Sequence, residues 1–253
     1  MSDPYGQDGF RVRCDWGPVG ADAVSPGAVV LAVVDVLSFT TALSVAVDRG
    51  ISVLPCRWRD ERAAVIAEQY EAMLAVGRSQ VGPQSPVSLS PATIAAVPGV
   101  RRLVLPSPNG STIAQRMATS GATVIGVSLR NAAAAAVWTA RQIDGDGVVA
   151  VVAAGERWRA DDSLRPAVED LWGAGMYIAG LVDAGIDGLS PEAEGAMAAY
   201  LSVAPRIAEK LSECASGREL IGHGYPQDVE VAAEVGVSDV VPVLHGEWFA
   251  PVR

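Results

Sequence analysis

Six apolar residues, VVLAVV, run unbroken from position 29 to 34 and end on Asp35. A short run of this kind, rich in β-branched residues, reads as a strand buried on both faces. Ser38, Thr40 and Thr41 follow, then a helical pattern over 42–49 with Gly50 as its stop. A strand buried on both faces needs helices on both sides of its sheet, so this stretch constrains the fold most. It also sets a carboxylate at the carboxyl end of a strand, where open α/β sheets bind ligands. The next helix opens with unpaired N–H groups and partial positive charge, which suit an anion such as phosphate. The same residues serve equally well as a helix cap and a turn support.

The alternation continues along the chain. Residues 51–54, 74–76, 103–105, 123–127, 148–153 and 240–244 are strand-like. Helical patterns cover 59–72, the stretch ending near 117, 132–143, 166–184, one or two segments in 190–214, and 227–235. Residues 1–27 read as a lead-in strand plus loop, with turns at Gly17-Pro18 and Pro26-Gly27. Strands alternating with helices at this spacing predict one domain over 1–253, an α/β/α three-layer sandwich with a mostly parallel or mixed sheet. The long loop VGPQSPVSLSPAT, after Gly77-Arg78-Ser79, is of a length that often carries function. Arg57, Arg59 and Arg62 read as the solvated side of the 59–72 helix.

Charge narrows the partners. The net charge of −10, with a single lysine at Lys210, argues against nucleic acid and against an anionic membrane surface. No stretch of about 18 apolar residues is present, so no membrane span is expected. Cys14, Cys56 and Cys214 are odd in number and lack zinc spacing, and the polar start MSDPYGQDGF lacks the apolar core of a signal peptide. A cytoplasmic setting is expected. With only His223 and His245, both more consistent with surface positions, Ser-His-Asp chemistry and histidine-rich metal sites have little support. The 50% apolar composition is compatible with a homodimer.

Four strand ends carry polar punctuation: Asp35 with Ser38, Thr40 and Thr41; Asn109, Gly110, Ser111 and Thr112; Arg130 and Asn131; and Glu156 and Arg157 after Gly155. Converging on one crevice, they would supply carboxylates, hydroxyls, amides, arginines and helix N-termini. Carboxylates with few histidines suit Mg²⁺, and hydroxyls with arginines suit phosphate. Phosphoryl chemistry fits this set better than acyl transfer. Each element has a plainer reading: Asn109-Gly110 as a turn, Asn131 as a cap, and Glu169 and Asp170 as acids favoured in a first helical turn. Arg159 and Arg165 read as a solvated loop. No G-x-x-x-x-G-K-[ST] is present, and Asp35-Val36-Leu37-Ser38 lacks the second aspartate, two residues on, of an aspartyl-phosphate nucleophile motif.

These segments resemble the 2-phosphosulfolactate phosphatase family, also called ComB-like. VVDVLSFTTAL resembles its strand-then-D-V-L-R-A-[ST]-[ST] segment, PNGST its T-N-G-T, and VSLRNAAAAA its G-S-x-x-N-x-x-A-V-A. AAGERW with SLRPAVEDLWGAG, and YPQDVEVAAEVGVSDVVPVL, match its remaining motifs in order, over about residues 29–244. The resemblance implies an α/β/α fold and a Mg²⁺-dependent phosphatase acting on a small sulfonated phosphate ester in coenzyme M biosynthesis. It implies Asp35, Glu169 and Asp170 as acidic and metal-facing residues. Asn109, Ser111, Thr112 and Asn131 would contact substrate or phosphate, and Arg78 lies in a matching segment. Two positions depart from the pattern. Ser38 stands where the family has arginine, and the glutamate of its G-G-E-R segment is missing near Arg78. Arg130, Glu156 and Arg157 are candidates to compensate. The alternative is a non-catalytic protein on the same scaffold that binds a small anion or serves as an interaction module.

Overall fold

The computed structural model describes residues 4–252. Its strands are β1 (Val12–Trp16), β2 (Ala28–Val34), β3 (Ser52–Cys56), β4 (Met73–Leu74), β5 (Arg102–Pro106), β6 (Thr123–Val127), β7 (Val148–Ala153), β8 (Glu156–Arg157), β9 (Leu164–Arg165), β10 (Val241–His245) and β11 (Trp248–Val252). The helices are α1 (Gly17–Val24), α2 (Phe39–Asp48), α3 (Glu61–Gln69), α4 (Pro91–Ala96), α5 (Gly110–Met117) and α6 (Ala132–Gln142), then α7 (Val168–Asp183), α8 (Pro191–Val203), α9 (Ile207–Glu213), α10 (Ala215–Gly222) and α11 (Pro226–Ala232).

Nine strands form one mixed sheet in the order β1-β7-β2-β6-β10-β11-β3-β5-β4. β1, β7, β2 and β6 are parallel to one another, as are β3, β5 and β4. The β10–β11 hairpin joins the two blocks through antiparallel pairings with β6 and β3. The second block therefore runs opposite to the first. A twist of roughly 20–25° per strand pair accumulates to on the order of 100° between β2 and β5. The segment after β5 nonetheless reaches the segment after β2, where Gly110 N–H donates to Asp35 at 2.8 Å.

β2 is buried on both faces, as its sequence predicts. Val30, Ala32 and Val34 face a core shared with α6, α7, α8, α9 and α11. Leu31 and Val33 face a second core built from α1, α2, α4 and α5. A third, smaller core lies between β3, β5 and α3. Helix α2 is buried along Phe39 to Val47, so its apolar character on every side is that of a central element rather than a surface one. It ends before Gly50, whose φ of 72° suits glycine.

Two expectations change. The loop expected before residue 27 contains α1, because a proline in a first helical turn is compatible with helix. The expected last strand is followed by β11, disguised by its proline. Pro251 lies directly opposite Pro242 of β10. The described cysteines are all free and buried. No helix among the described residues is long and apolar enough to cross a membrane.

Candidate active site

Asp35 directly follows β2 and is buried. Its Oδ1 accepts the N–H of Phe39 at 3.1 Å, and its Oδ2 accepts the N–H of Gly110 at 2.8 Å. One carboxylate thus caps the first residues of α2 and α5 together, where helix N–H groups otherwise lack partners. Gly110 permits this approach: a Cβ there would collide with the Phe39 ring and lie 2.7 Å from Asp35 Oδ2. Asp170, in the first turn of α7, acts similarly. Its Oδ1 accepts Val36 N–H at 2.7 Å and its Oδ2 accepts Gly155 N–H at 2.9 Å. The segments after β2, β5 and β7 are therefore tied together by two buried carboxylates.

Glu156 and Glu169 complete the acidic group. Asn109 Nδ2 donates to Glu156 Oε2 at 2.9 Å. Glu156 also lies opposite Arg165 in the β8–β9 pair, a position that brings side chains onto one face. Glu169 is 1% exposed, and its Oε2 has no hydrogen-bond partner. Burial raises the pKa of Asp35, against the pull of the Phe39 and Gly110 N–H groups and with a further push from Glu169. Burial, then Asp35 and Glu169, hold Asp170 well above the usual carboxylate range. Burial and then Asp35 push Glu156 up to about 7, while Asn109 pulls it down. Cys214 is pushed up to about 12, first by burial and then by Glu169, so it is a thiol rather than a thiolate at neutral pH.

A cavity of about 690 Å³ opens beside this group. Its lining includes Arg59, Arg78, His223 and Tyr225 but none of the four carboxylates; Arg59, through the charges of Glu156 and Asp35, links it to them. Arg59 lines the cavity, and surrounding protein lowers its pKa, against the pull of Glu156 and Asp35. Arg78 donates to Ser38 Oγ at 2.8 Å and ion-pairs with Asp228 at 2.7 Å. A guanidinium therefore rests on the hydroxyl of Ser38, although residue 38 itself is not arginine. Gly77 to Gln80, just ahead of the long loop, and Leu89 within it line the cavity wall.

Several expected residues do not turn into this crevice. Thr40 and Thr41 donate to the carbonyls of Asp35 and Val36. Ser111 and Thr112 donate to those of Leu105 and Pro108. Asn131 Oδ1 accepts from Ser128, and its Nδ2 donates to Gly126 and Val240 carbonyls, which uses the amide internally. Arg130 pairs with Glu234 and with Asp48, the last residue of α2. That places it about a helix length, on the order of 15 Å, from Asp35. Arg157 turns to Asp162 within its own hairpin. Arg59 is exposed, as expected, yet Glu156 and Asp35 act on its charge, while Arg165 is half-buried, donates to Ser216 Oγ at 3.1 Å and acts electrostatically on Glu156. Arg59 had a legible signal, since it follows the end of β3; Arg165 had none without its cross-strand pairing.

Mg²⁺ can be set against these donors. No group of three or more His, Cys, Asp or Glu side chains among the described residues is arranged to hold a metal by itself. Asp35 and Asp170, expected as metal-facing, each spend both oxygens on backbone N–H groups. Mg²⁺ needs only one or two carboxylates, with water and phosphate oxygens completing its shell. The orphaned Glu169 oxygen, in an excess of negative charge, fits that requirement.

The fold and the crevice define an α/β/α protein with a buried acidic cluster flanked by arginines at its strand ends. A family model described as 2-phosphosulpholactate phosphatase matches residues 21–247. The chain belongs to that phosphatase family.

Proposed function

We propose that the protein is a phosphoric monoester hydrolase acting on a small acidic organic phosphate, 2-phosphosulfolactate or a related acid, with Mg²⁺ support. The observation that carries this reading is that two cavity arginines connect the cavity to the acidic cluster and to the segment that follows Asp35. Arg59 and Arg78 line the cavity, and both reach the neighbourhood of Asp35. Guanidinium forks match phosphoryl oxygens and stabilise charge on the transferring group.

Glu156, with a pKa of about 7, holds a proton through much of the neutral range. Asn109 orients it. In the proposed reaction a water oxygen forms a new bond to phosphorus and the ester P–O bond breaks. The Glu156 proton passes to the leaving alcohol oxygen, and a proton of the attacking water restores it. Asp35 and Asp170 hold the frame. Glu169 would hold Mg²⁺, with water and phosphoryl oxygens completing its shell, and the ion supplies Lewis-acid polarisation of phosphoryl oxygens when bound.

The test is phosphate release from a panel of small phosphorylated acids, with Mg²⁺, with Mn²⁺, and with chelator. Turnover that is lost on chelation and restored by Mg²⁺ supports the reading. A folded protein that binds inorganic phosphate but is inert across the panel would favour the anion-binding alternative.

A further inference from the structure

Asp228 opens helix α11 and is 1% exposed, although nothing in the proposed chemistry uses it. Its Oδ2 accepts the Nε–H of Arg78 at 2.7 Å, and its Oδ1 accepts the hydroxyl of Ser90. Arg78 and Ser90 stand at the two ends of the long loop, so one carboxylate grips both. The guanidinium has a second tether, from a terminal nitrogen to Ser38 Oγ at 2.8 Å. The Tyr225 ring lies 5.6 Å from its central carbon.

Arginine has five N–H donors in a rigid plane. The two tethers use one on Nε and one on a terminal nitrogen. Three remain on a residue that lines the cavity, beside Arg59. A free arginine side chain has rotamer entropy that binding an anion must overcome. One tied at two corners has already lost most of that freedom. A buried ion pair is a poor source of net stability, because desolvating both charges offsets their attraction. Orientation of Arg78 is what this pair supplies that an apolar contact would not.

We propose that Asp228 is a positioning residue: with Ser90 and Ser38 it locks Arg78 as a preoriented receptor for a phosphoryl oxyanion. The identity of the anion rests on the phosphatase reading; the locking does not. The experiment measures inorganic phosphate binding calorimetrically for the full chain and for Asp228→Asn, Arg78→Lys and the double variant, with KM and kcat for any ester turned over. Asp228→Asn should weaken phosphate binding and raise KM by roughly tenfold, as expected for losing a charged hydrogen bond, with a smaller change in kcat. The double variant should bind phosphate no more weakly than Arg78→Lys alone, since the carboxylate acts only through the arginine.

An Asp228→Asn protein with a lowered Tm but phosphate affinity and KM within twofold of wild type would overturn the proposal. So would losses that add in the double variant. If Asp228→Asn does not fold, Ser90→Ala, which frees one carboxylate oxygen, takes its place: a severalfold loss of phosphate affinity supports the proposal, and unchanged affinity overturns it. A wild type that binds phosphate without hydrolysing any ester, and loses binding in Asp228→Asn, would sustain the positioning role and sink the hydrolase reading. A wild type that binds no phosphate would sink both.

Discussion

Asp170 accepts the backbone N–H of Val36 at 2.7 Å, across 134 residues of chain. The same carboxylate takes the N–H of Gly155. A helix laid against the sheet by its own apolar face thus also closes the two loops that frame the crevice. Close packing helps: a Cβ at Gly173, one turn on, would lie 2.7 Å from Val36 and 2.8 Å from Val34 side-chain carbons.

Asp170→Ala is expected to destabilise the fold substantially. Two buried N–H donors would lose their acceptor, at about 1–3 kcal/mol each. Chemical denaturation should show a lower midpoint with an unchanged slope. A loss under about 0.5 kcal/mol would mean that water or another acceptor replaces the carboxylate.

Glu156→Gln is expected to lower kcat by about 10²–10⁴-fold, the usual range for a general acid. Wild-type activity should fall as pH rises through about 7, where Glu156 loses its proton. That limb of the pH profile should vanish in the variant. An unaltered limb would assign it to another group.

Stability should also fall with pH in the same window. Folded Glu156 keeps its proton to about 7, whereas the unfolded side chain releases it near 4.5. Between those values the folded state binds more protons, so stability drops as pH rises. Asp35 and Asp170 shift in the same direction. The wild-type Tm should therefore be lower at pH 8 than at pH 5. Glu156→Gln should flatten the fall and raise the Tm at pH 8, by roughly 2–4 °C for each kcal/mol relieved. A wild-type Tm that rises over this interval would refute the buried-carboxylate picture.

Gly110→Ala should disturb the junction of α2 and α5. The added Cβ meets the Phe39 ring and Asp35 Oδ2. Overpacking of this kind costs about 1–3 kcal/mol. Because the displaced atom is the Asp35 carboxylate, phosphate-ester turnover should drop along with the Tm. A variant of unchanged Tm would show that the ring and carboxylate move aside freely.

Much of the framework was legible along the chain. The apolar run before Asp35 became β2, and the acids of the α7 first turn could be singled out as Glu169 and Asp170. Residues 123–127 and 148–153 are strands with the expected bounds. What local pattern could not separate was cap from ligand. Thr40, Thr41, Ser111, Thr112 and Asn131 have the same chemistry in either role, and the difference lies in which carbonyl or N–H is near. Arg59 read as the wet side of a helix and is indeed exposed; its place just past the end of β3 was the only local hint that acids lie within reach of its charge.

The sequence by itself determined that this chain builds a sheet covered on both faces, with polar groups at its strand ends, because burial patterns and turn chemistry are local. Only the tertiary structure decided which of those groups meet. The hairpin of β10 and β11 reverses the β3-β5-β4 block, and the segment after β5 still meets Asp35 through Gly110. Hydrogen bonds spanning scores of residues depend on that path through space, so no reading of spacing alone would bring Arg78 to Ser38 or Asn109 to Glu156.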